Sequence, residues 1–559
     1  MIASTYHLLL LTSHLFRRVF FNFNSHRLQL TNQNIMAEIA FTYDEIAYPS
    51  FLHPQTHPDR LAVMATFLGM KPKAVENCRV LELGCGNGSN LVSFAYGLPE
   101  SEFVGIDLAE NHIAHGNQVA QNIGLKNLRL IHGDVLEINR ATDGEFDYII
   151  AHGIYSWTPE FVREKILAIG GELLTSDGVA YVSYNAFPGC HLRQMMRGMM
   201  LYHTENFATA TGKVKESLSL LKFLGEFVAD QKIYKQILND ELSRTAEKPT
   251  QLIFHDDLAD INQPVYFHEF IAAAEKYDLQ FLSEADYFTS NDGNYSPRVV
   301  EVLAQFGDDI IKREQYIDFL INRRFRQTLL CRKEIKVNYQ PQVKAMRVMR
   351  IAADVRFAAK KPDFAPNKIE AILGKNNRKI EIDHSLTKAA LFLLGQAFPR
   401  SIAFSELVEA AKNLVKQKIG EDFELIEKDE TILASILLQI FGSDLIELHL
   451  YEPKFAALPS EKPLVSPIAR LQAQNNDLVS TLRQNAIGIQ DDVIRNLLIL
   501  LDGTRTRRDV TREVKRRIEN GKIRFKFDSN AERREFLNDL PAIIEENLQA
   551  MAKLALFVK

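Results

Sequence analysis

The sequence is poor in cysteine and tryptophan and has no strong excess of charge of either sign. Only four of its 559 residues are cysteines, and these are widely spaced without a C-x-x-C pair, namely Cys78, Cys85, Cys190 and Cys331. This spacing argues against a disulfide framework and a structural zinc site, so we expect no metal. A net charge of -5 excludes both a polybasic nucleic-acid-binding chain and an acidic disordered one.

Long apolar runs are also missing. Beyond the amino terminus no uncharged apolar run approaches the roughly 18 to 20 residues that cross a bilayer, so we expect a cytoplasmic protein without membrane insertion. Residues 1–35 contain no Asp or Glu but include Arg17, Arg18 and Arg27. That composition fits a transit peptide and equally fits translation from an upstream start. We favour the second explanation, with Met36 as the start, and leave the segment out of the predicted fold.

The chain is long enough for several domains. Its 559 residues predict three or four domains, and a content of 46% hydrophobic residues lets each domain bury its own core. Short apolar runs alternate with helix-length segments in residues 79–185, which predicts an α/β fold with a doubly wound, Rossmann-like parallel sheet. The predicted strands cover residues 80–83, 103–106, 128–131, 148–151 and 179–183.

The remainder of the chain has mostly helical spacing. Residues 213–333 show helical periodicity with hardly a strand-like run, and residues 336–383 combine prolines with charges, which is typical of connectors and short strands. Helical spacing then returns. We therefore divide the chain into a segment 1–35, a sheet domain 36–205, a helical domain 206–335, a helical or winged-helix-like middle domain 336–460, and a carboxy-terminal helical domain 461–559.

The most informative stretch is RVLELGCGNGSN, in which an apolar strand containing Glu82 leads into Gly84, Gly86 and Gly88. Glycines at a strand-to-helix turn let a ligand approach the backbone where a side chain would clash. A dinucleotide site would have its third glycine one position later, where Ser89 stands. The E-x-G-x-G-x-G form instead resembles motif I of class I S-adenosylmethionine-dependent methyltransferases. An acid at Glu82 suits the cationic end of that cofactor.

Three downstream cues follow in the order that this cofactor requires. Asp107 ends the second strand roughly 20 residues after the glycines, where a carboxylate accepts ribose hydroxyls. Asp134 ends the third strand, placed for the adenine amine, and Ala151 ends the fourth at the edge where such sheets bind ligands. The predicted cofactor-binding residues are Glu82, Gly84, Cys85, Gly86, Asp107, Leu108, Asp134, Val135, Ala151 and Arg60.

An amino-terminal helix in PDRLAVMATFLGM is predicted to lie over this pocket. Tyr43, Tyr48 and Arg60 are candidates to line it, with Arg60 facing the methionine carboxylate; a surface salt bridge is the equal alternative for the arginine. His53 and His57 have the spacing of a metal-binding pair, but each is followed by a proline that disfavours helix, so we expect no metal there.

The resemblance extends through FTYDEIAYPSFLHPQTHPDRLAVMATFLGM, YSWTP, YNAFPG, DINQPVYFHEFIAAAEKYDLQFLSEAD and REQYIDFLINRRFRQTLLCR. Together these segments resemble the methyltransferases that carry a methyltransferase regulatory domain, whose better-understood relatives are bacterial protein lysine methyltransferases. The resemblance implies S-adenosylmethionine as the cofactor and protein lysine as the acceptor. It also implies a class I methyltransferase domain, a helical regulatory domain at 206–335, and mostly helical middle and winged-helix-like carboxy-terminal domains.

Side chains after the fourth and fifth strands are the candidates for the acceptor site. A lysine ammonium must lose its proton before methylation, and an apolar, aromatic-lined channel favours the neutral amine. The candidate catalytic residues are His152, Trp157, Tyr184 and Asn185, with Tyr155 and Phe187 as further channel aromatics. Alternatives stay open for each of these residues. The aromatic side chains could serve only in packing, the asparagine could belong to a turn, and the histidine could contact the cofactor.

Other functions also stay open, namely methylation of a small metabolite or nucleic acid, and cofactor binding without catalysis. AHGIYSW is not an N/D-P-P-Y-type turn, which disfavours a nucleic-acid amine as acceptor. The acids at Asp107 and Asp134 disfavour a degenerate site. The basic run TRTRRDVTREVKRRIENGKIRFKF is typical of a solvated helix face, and we expect protein recognition or a homodimer contact from it in preference to nucleic acid.

Overall fold

A computed structural model describes residues 52–228, 232–287, 292–375, 378–420, 427–489, 491–524 and 529–559 of the chain. The segment 1–35 and the lid candidates Tyr43 and Tyr48 lie outside the described residues. No helix in the described ranges is long and apolar enough to cross a membrane.

A seven-stranded sheet forms the first part of the fold. Its strands are β1 Arg79–Leu83, β2 Glu102–Asp107, β3 Leu128–His132, β4 Phe146–Ala151, β5 Leu174–Asn185, β6 Leu279–Glu284 and β7 Phe325–Arg332. They are arranged in the order β3-β2-β1-β4-β5-β7-β6, and β7 runs antiparallel to both of its neighbours. The predicted Rossmann-like sheet is thereby confirmed, with the five predicted strands as its parallel part.

Four of the first five strands were predictable because their central residues are buried and almost continuously apolar, whereas in β3 only Leu130 is buried. Parallel pairing brings their carboxyl ends to one edge of the sheet, which we call the carboxyl edge. The longer helices are α1 Pro58–Phe67, α2 Ser89–Gly97, α3 Glu110–Asn122, α4 Glu160–Leu173, α5 Cys190–Thr204, α6 Ala210–Phe227, α7 Lys232–Ala246, α8 Phe267–Glu275, α9 Pro297–Ala304, α10 Ile310–Ile321, α11 Ser385–Ala397, α12 Phe404–Ile419, α13 Glu427–Phe441, α14 Pro467–Asn475, α15 Asp492–Leu500, α16 Arg507–Glu519 and α17 Asn530–Lys553.

The prediction of hardly any strand between residues 213 and 333 is wrong, because β6 and β7 both lie there. Each strand carries charged or polar side chains that are buried and paired, which hides the apolar pattern. Arg326 in β7 is fully buried and donates to Glu284 in β6 at 2.7 Å and to both carboxylate oxygens of Asp318 in α10 at 2.9 Å. The region predicted to be a separate helical domain therefore completes the large sheet.

The middle region has two small sheets and its own hydrophobic core. The strands are β8 Arg350–Ala352, β9 Arg356–Phe357, β10 Glu370–Leu373, β11 Lys379–Ile382, β12 Ile402–Ala403 and β13 Glu447–His449. Two side chains of α1, Val63 and Phe67, pack into this core, whereas Leu61 and Met64 pack into the core beside the large sheet. Helix α1 thus belongs to both cores and joins the two regions.

The carboxy-terminal region, predicted to be helical, also contains a hairpin of β14 Leu478–Ser480 and β15 Ala486–Gly488. The loop of this hairpin contacts α2, since Gln484 accepts from the Ser93 hydroxyl at 2.9 Å and donates to the Ser93 carbonyl at 3.2 Å. The hairpin therefore touches the helix that follows the glycine-rich turn.

Candidate functional site

The glycine-rich turn lies between β1 and α2, at the carboxyl edge of the sheet. Gly84, Gly86 and Gly88 have φ values of 67°, 55° and 69°, a left-handed conformation that favours glycine. A Cβ on Gly84 would lie 2.3 Å from Cγ2 of Ile154, so packing alone explains that glycine. A Cβ on Gly86 would meet no atom of the described residues within 4 Å, so these residues leave open space against the backbone there.

Asp107 braces this turn from the end of β2. One of its carboxylate oxygens accepts from the backbone N–H of Gly86 at 2.8 Å, and the other accepts from the N–H of Ala109 at 2.9 Å. Burial raises the pKa of Asp107, while these two hydrogen bonds oppose that rise. Each oxygen keeps a further lone pair, so the half-buried carboxylate is able to accept two ligand hydroxyls.

Glu82, on β1 beneath the turn, is a buried acid with one unpaired oxygen. Its Oε1 accepts from Nδ2 of Asn90 at 2.9 Å, but its buried Oε2 has no hydrogen-bond partner among the described residues. Burial raises the pKa of Glu82 to about 8, and the nearby charge of Asp107 adds to the rise. Such a carboxyl is expensive to ionise unless a cation approaches it.

Asn90, which is not among the predicted site residues, joins Glu82 to the segment before α1. Its Nδ2 also donates to Oγ1 of Thr56 at 3.0 Å, and its Oδ1 accepts from the backbone N–H of His53 at 3.0 Å. Asn90 lies on the first turn of α2, two positions after the last glycine of the motif, and this position is the signal that could have identified it. The side-chain amide of Asn90 thus hydrogen-bonds both to Glu82 and to the segment that contains His53 and Thr56.

The adenine-side candidates lie next to this turn. Asp134 follows β3 and caps the short turn Val135–Glu137 by accepting from the N–H of Leu136 at 2.9 Å. Leu108 follows β2 and is half-buried, whereas Val135 and Ala151 are buried. Because β3, β2, β1 and β4 are adjacent, the structure brings these residues to one continuous edge with Glu82 and Asp107.

Two of the predicted cofactor residues have other surroundings. The thiol of Cys85 is buried in the core, and a Cβ on Gly105 would come within 2.8 Å of it, so the side chain packs beneath the turn. Arg60 donates to Oδ1 of Asn485 at 3.3 Å, a contact between α1 and the carboxy-terminal hairpin loop. The structure therefore gives the arginine a protein partner, and its predicted contact with the methionine carboxylate stays a prediction.

The observed residues fit S-adenosylmethionine. The unpaired oxygen of Glu82 suits a ligand ammonium, the Asp107 carboxylate suits a pair of hydroxyls, and the open space at Gly86 admits a ligand to the backbone. No group of three or more His, Cys, Asp or Glu side chains in the described part of the chain is arranged to hold a metal ion.

On the acceptor side, Tyr184 stands at the carboxyl end of β5, but its side chain is buried in the core. It is fully buried, its hydroxyl lies 3.0 Å from Oγ1 of Thr328, and its ring stacks on Phe270 at 4.2 Å. It is a core residue between β5 and α8 because β6 and β7 extend the sheet beyond β5. Tyr155 is likewise buried, with its ring 5.2 Å from that of Phe270.

Asn185 ends β5 and is also buried, with a protein partner for both the nitrogen and the oxygen of its amide. Its Nδ2 donates to Oδ1 of Asn262 at 3.0 Å, and its Oδ1 accepts from Arg193 at 3.3 Å. Trp157 is half-buried in the turn after β4, and its indole N–H has no hydrogen-bond partner within the described ranges. Phe187 is half-buried and stacks on the exposed His191 at 4.1 Å.

His152 lies directly after β4 and forms a pair with His53. The two ring centroids are 3.9 Å apart, and Nδ1 of His152 lies 3.0 Å from the hydroxyl of Tyr181. Burial lowers the pKa of His53 to about 4 and holds the pKa of His152 well below its ordinary value. Both imidazoles are therefore neutral at neutral pH, so neither repels a cationic acceptor.

Models of three known protein families match the chain. They are a methyltransferase domain over residues 74–246, a predicted methyltransferase regulatory domain over 249–332, and the PKMT C-terminal winged helix domain over 461–556. The last match covers the region that contains the β14–β15 hairpin. It confirms the winged-helix-like carboxy-terminal domain.

Similar proteins cover most of the chain. An uncharacterised protein of Rickettsia prowazekii is 31% identical over 491 residues, which span 86% of this chain and 87% of that protein. A second protein of that organism is 35% identical over 242 residues, or 43% of this chain and 96% of its own length. The solved structure of PKMT2 from Rickettsia typhi is 26% identical with a TM-score of 0.81, covering 92% of this chain and 100% of that one, and gives the same values in complex with AdoHcy.

Proposed function

This chain belongs to the S-adenosylmethionine-dependent methyltransferases that carry a methyltransferase regulatory domain, and we propose that it methylates lysine side chains of a protein. S-adenosylmethionine is its cofactor and, when bound, supplies an activated methyl group to a nucleophilic acceptor. What we propose is the acceptor, namely a protein and within it the lysine side chain.

We assign the cofactor to the residues at the carboxyl edge. Glu82 would hold the ammonium of the methionine part with its unpaired oxygen, Asp107 the ribose hydroxyls and Asp134 the adenine amine. Gly86 leaves the backbone of the turn approachable, while Gly84 lets the turn pack against Ile154. Because the cofactor brings the reactive group, the task of these side chains is to orient it and exclude water.

The proposal of a lysine acceptor rests on the similarity to PKMT2 from Rickettsia typhi, a protein lysine methyltransferase. This similarity extends over 92% of the chain, far beyond the 74–246 region that matches a methyltransferase domain. Methyl transfer to a metabolite would not require the middle and winged-helix regions, whereas a protein acceptor offers a large surface to bind.

Local electrostatics at the edge are compatible with a lysine. The acceptor amine has to be neutral when it attacks, so surroundings that disfavour an ammonium help to remove its proton. His53 and His152 are uncharged at neutral pH and add no repulsion as the lysine approaches. His152, Trp157 and Phe187 are the candidates to contact the acceptor, since each is half-buried at this edge.

Incubation of the purified protein with methyl-labelled S-adenosylmethionine and a bacterial lysate tests the proposal. We expect macromolecular label that protease removes and nuclease leaves in place. Label removed by nuclease, or confined to the small-molecule fraction, would overturn the protein acceptor. The control is Asp107→Ala, which loses two hydrogen bonds that brace the glycine turn and is expected to label nothing.

A further inference from the structure

A short segment of the regulatory region, residues 262–265, is attached by its backbone to both loops of the acceptor side. The N–H of Gln263 donates to the carbonyl of Ser156, in the loop after β4, at 2.8 Å. The N–H of Val265 donates to the carbonyl of Asn185 at 3.1 Å, and the N–H of Phe187 donates back to Val265 at 3.1 Å. The segment thus adds a short parallel bridge to the end of β5.

The side chain of Asn262 reinforces this attachment. It is 7% exposed, and its Oδ1 accepts from Nδ2 of Asn185 at 3.0 Å and from Nε2 of Gln194 at 3.1 Å. Its own Nδ2 donates to the carbonyl of Asp256 at 2.8 Å. One buried amide therefore contacts the end of β5, helix α5 and the preceding turn of the regulatory region.

The two loops are also joined to each other. The buried hydroxyl of Ser156 accepts from the backbone N–H of Asn185 at 2.9 Å. Immediately after the segment, Tyr266 places its ring 5.3 Å from Phe187 and its hydroxyl 3.2 Å from Nε2 of His191. The regulatory segment consequently fixes the spacing of the half-buried aromatic side chains beside the acceptor loops.

We infer that Asn262 is a positioning residue for the methyl acceptor, through which the regulatory region sets the geometry of the loops after β4 and β5. The inference rests on the proposed function, because it assigns the acceptor to these loops. The regulatory region, residues 249–332, then forms a rigid part of the acceptor site, consistent with its contribution of β6 and β7 to the sheet. Among the described residues, the side chain of Asn262 hydrogen-bonds to Asn185, Gln194 and Asp256, and none of these is a predicted cofactor residue.

Asn262→Ala removes the amide and leaves the amide of Asn185 without its partner in the interior. We expect kcat/KM for the acceptor to fall by about tenfold to about a hundredfold, since small displacements of a reacting group cost that much. The dissociation constant of AdoHcy, measured by calorimetry, is expected to stay within about twofold, because Glu82 and Asp107 are untouched. Hydrogen exchange at residues 154–157 and 185–187 is expected to accelerate.

Two further variants distinguish a positioning role of Asn262 from a general loss of stability. Asn262→Asp keeps an oxygen for Asn185 and Gln194 and is expected to recover part of the lost kcat/KM. Asn127→Ala removes a structural amide that donates to the carbonyls of Ala95, Leu98 and Ser101 just before β3. It is expected to lower the melting temperature without changing the KM for the acceptor.

The acceptor in this experiment is the lysate protein that the wild type labels most strongly. Unchanged acceptor kinetics and unchanged exchange in Asn262→Ala would overturn the inference, as would an equal loss of AdoHcy affinity. If the wild type labels no protein, the proposed function fails, whereas the exchange measurement still decides whether Asn262 holds the two loops.

Discussion

Nδ1 of His449 lies 2.8 Å from Oδ2 of Asp59, and both side chains are buried. The other oxygen of Asp59 accepts from the N–H of Leu450 at 2.7 Å. Asp59 is on the first turn of α1, directly after the segment that Asn90 holds over Glu82, and His449 ends β13 of the middle region. This pair therefore ties the cofactor side of the molecule to the middle region.

The Asp59–His449 pair makes stability depend on pH. Burial opposes the charged imidazole, but the hydrogen bonds and charges of Asp59 and Glu447 outweigh it and raise the pKa of His449 above its ordinary value. The resulting stabilisation is fully present below the unfolded pKa of about 6.5 and is lost as the pH rises through the folded value. We expect His449→Gln to lower the free energy of unfolding more at about pH 6 than at about pH 9. Urea unfolding across this range measures the difference, and a gap that widens towards high pH would contradict the assignment.

Glu82→Gln is expected to stabilise the protein and weaken its cofactor binding. The pKa of Glu82 is raised to about 8 in the folded protein, against roughly 4.3 in the unfolded chain. Ionisation of this acid therefore destabilises the folded protein increasingly as the pH rises from roughly 4.3 to about 8, and the loss is constant above about pH 8. Glutamine carries no such cost, so the variant without ligand should unfold at a higher temperature, most clearly at alkaline pH. Its affinity for S-adenosylmethionine should fall by about tenfold or more, since the charge opposite the ammonium is lost.

Calorimetry and thermal unfolding on the same preparations check both halves of this prediction. Equal cofactor affinity in wild type and Glu82→Gln would remove Glu82 from the site. Lower stability of the variant at alkaline pH would show that the unpaired oxygen has a partner in the folded protein.

Gly86→Ala is expected to impair cofactor binding beyond its effect on stability. Both Gly86 and Gly124 have positive φ values, 55° and 75°, and in the described part of the chain a Cβ at either would meet nothing within 4 Å. Alanine should therefore destabilise each by roughly 1 to 2 kcal/mol, from backbone strain alone. Only Gly86→Ala places a methyl group where the ligand should approach, so only that variant should lose affinity for AdoHcy in a calorimetric titration. Similar affinities in the two variants would contradict the placement of the ligand.

Tyr184→Phe is expected to affect stability and leave methyl transfer nearly unchanged. The substitution removes a hydroxyl that lies 3.0 Å from Thr328, which still donates to Glu284 at 2.8 Å, so the cost should be about 1 kcal/mol. Thermal unfolding and turnover of the variant provide the check. A large fall in kcat at an unchanged melting temperature would return Tyr184 to the acceptor site.

The parallel part of the sheet could be predicted because its signals are local. An apolar run with a glycine turn or an acid at its end identifies a strand and the chemistry at its edge without knowledge of the rest of the chain. Glu82, Asp107 and Asp134 were predicted as cofactor residues in this way, and the structure brings them to adjacent strand ends.

Features that depend on distant partners could not be predicted. Strand β7 contains Arg326, which only its buried acidic partners in β6 and α10 make compatible with a sheet interior. The roles of Asn90 and Asn262 arise from hydrogen bonds to segments 34 and 77 residues away, respectively. Tyr184 was predicted at the acceptor site without knowledge of β6 and β7, and the structure buries its side chain between β5 and α8.

Analysis of the methylated amino acid tests the central claim most directly. The labelled lysate protein is isolated, hydrolysed to amino acids and separated against authentic methylated standards, with the Asp107→Ala reaction as the blank. Our account predicts that the label co-migrates with Nε-methylated lysine and is missing from the blank. Label on any other amino acid would contradict a lysine acceptor.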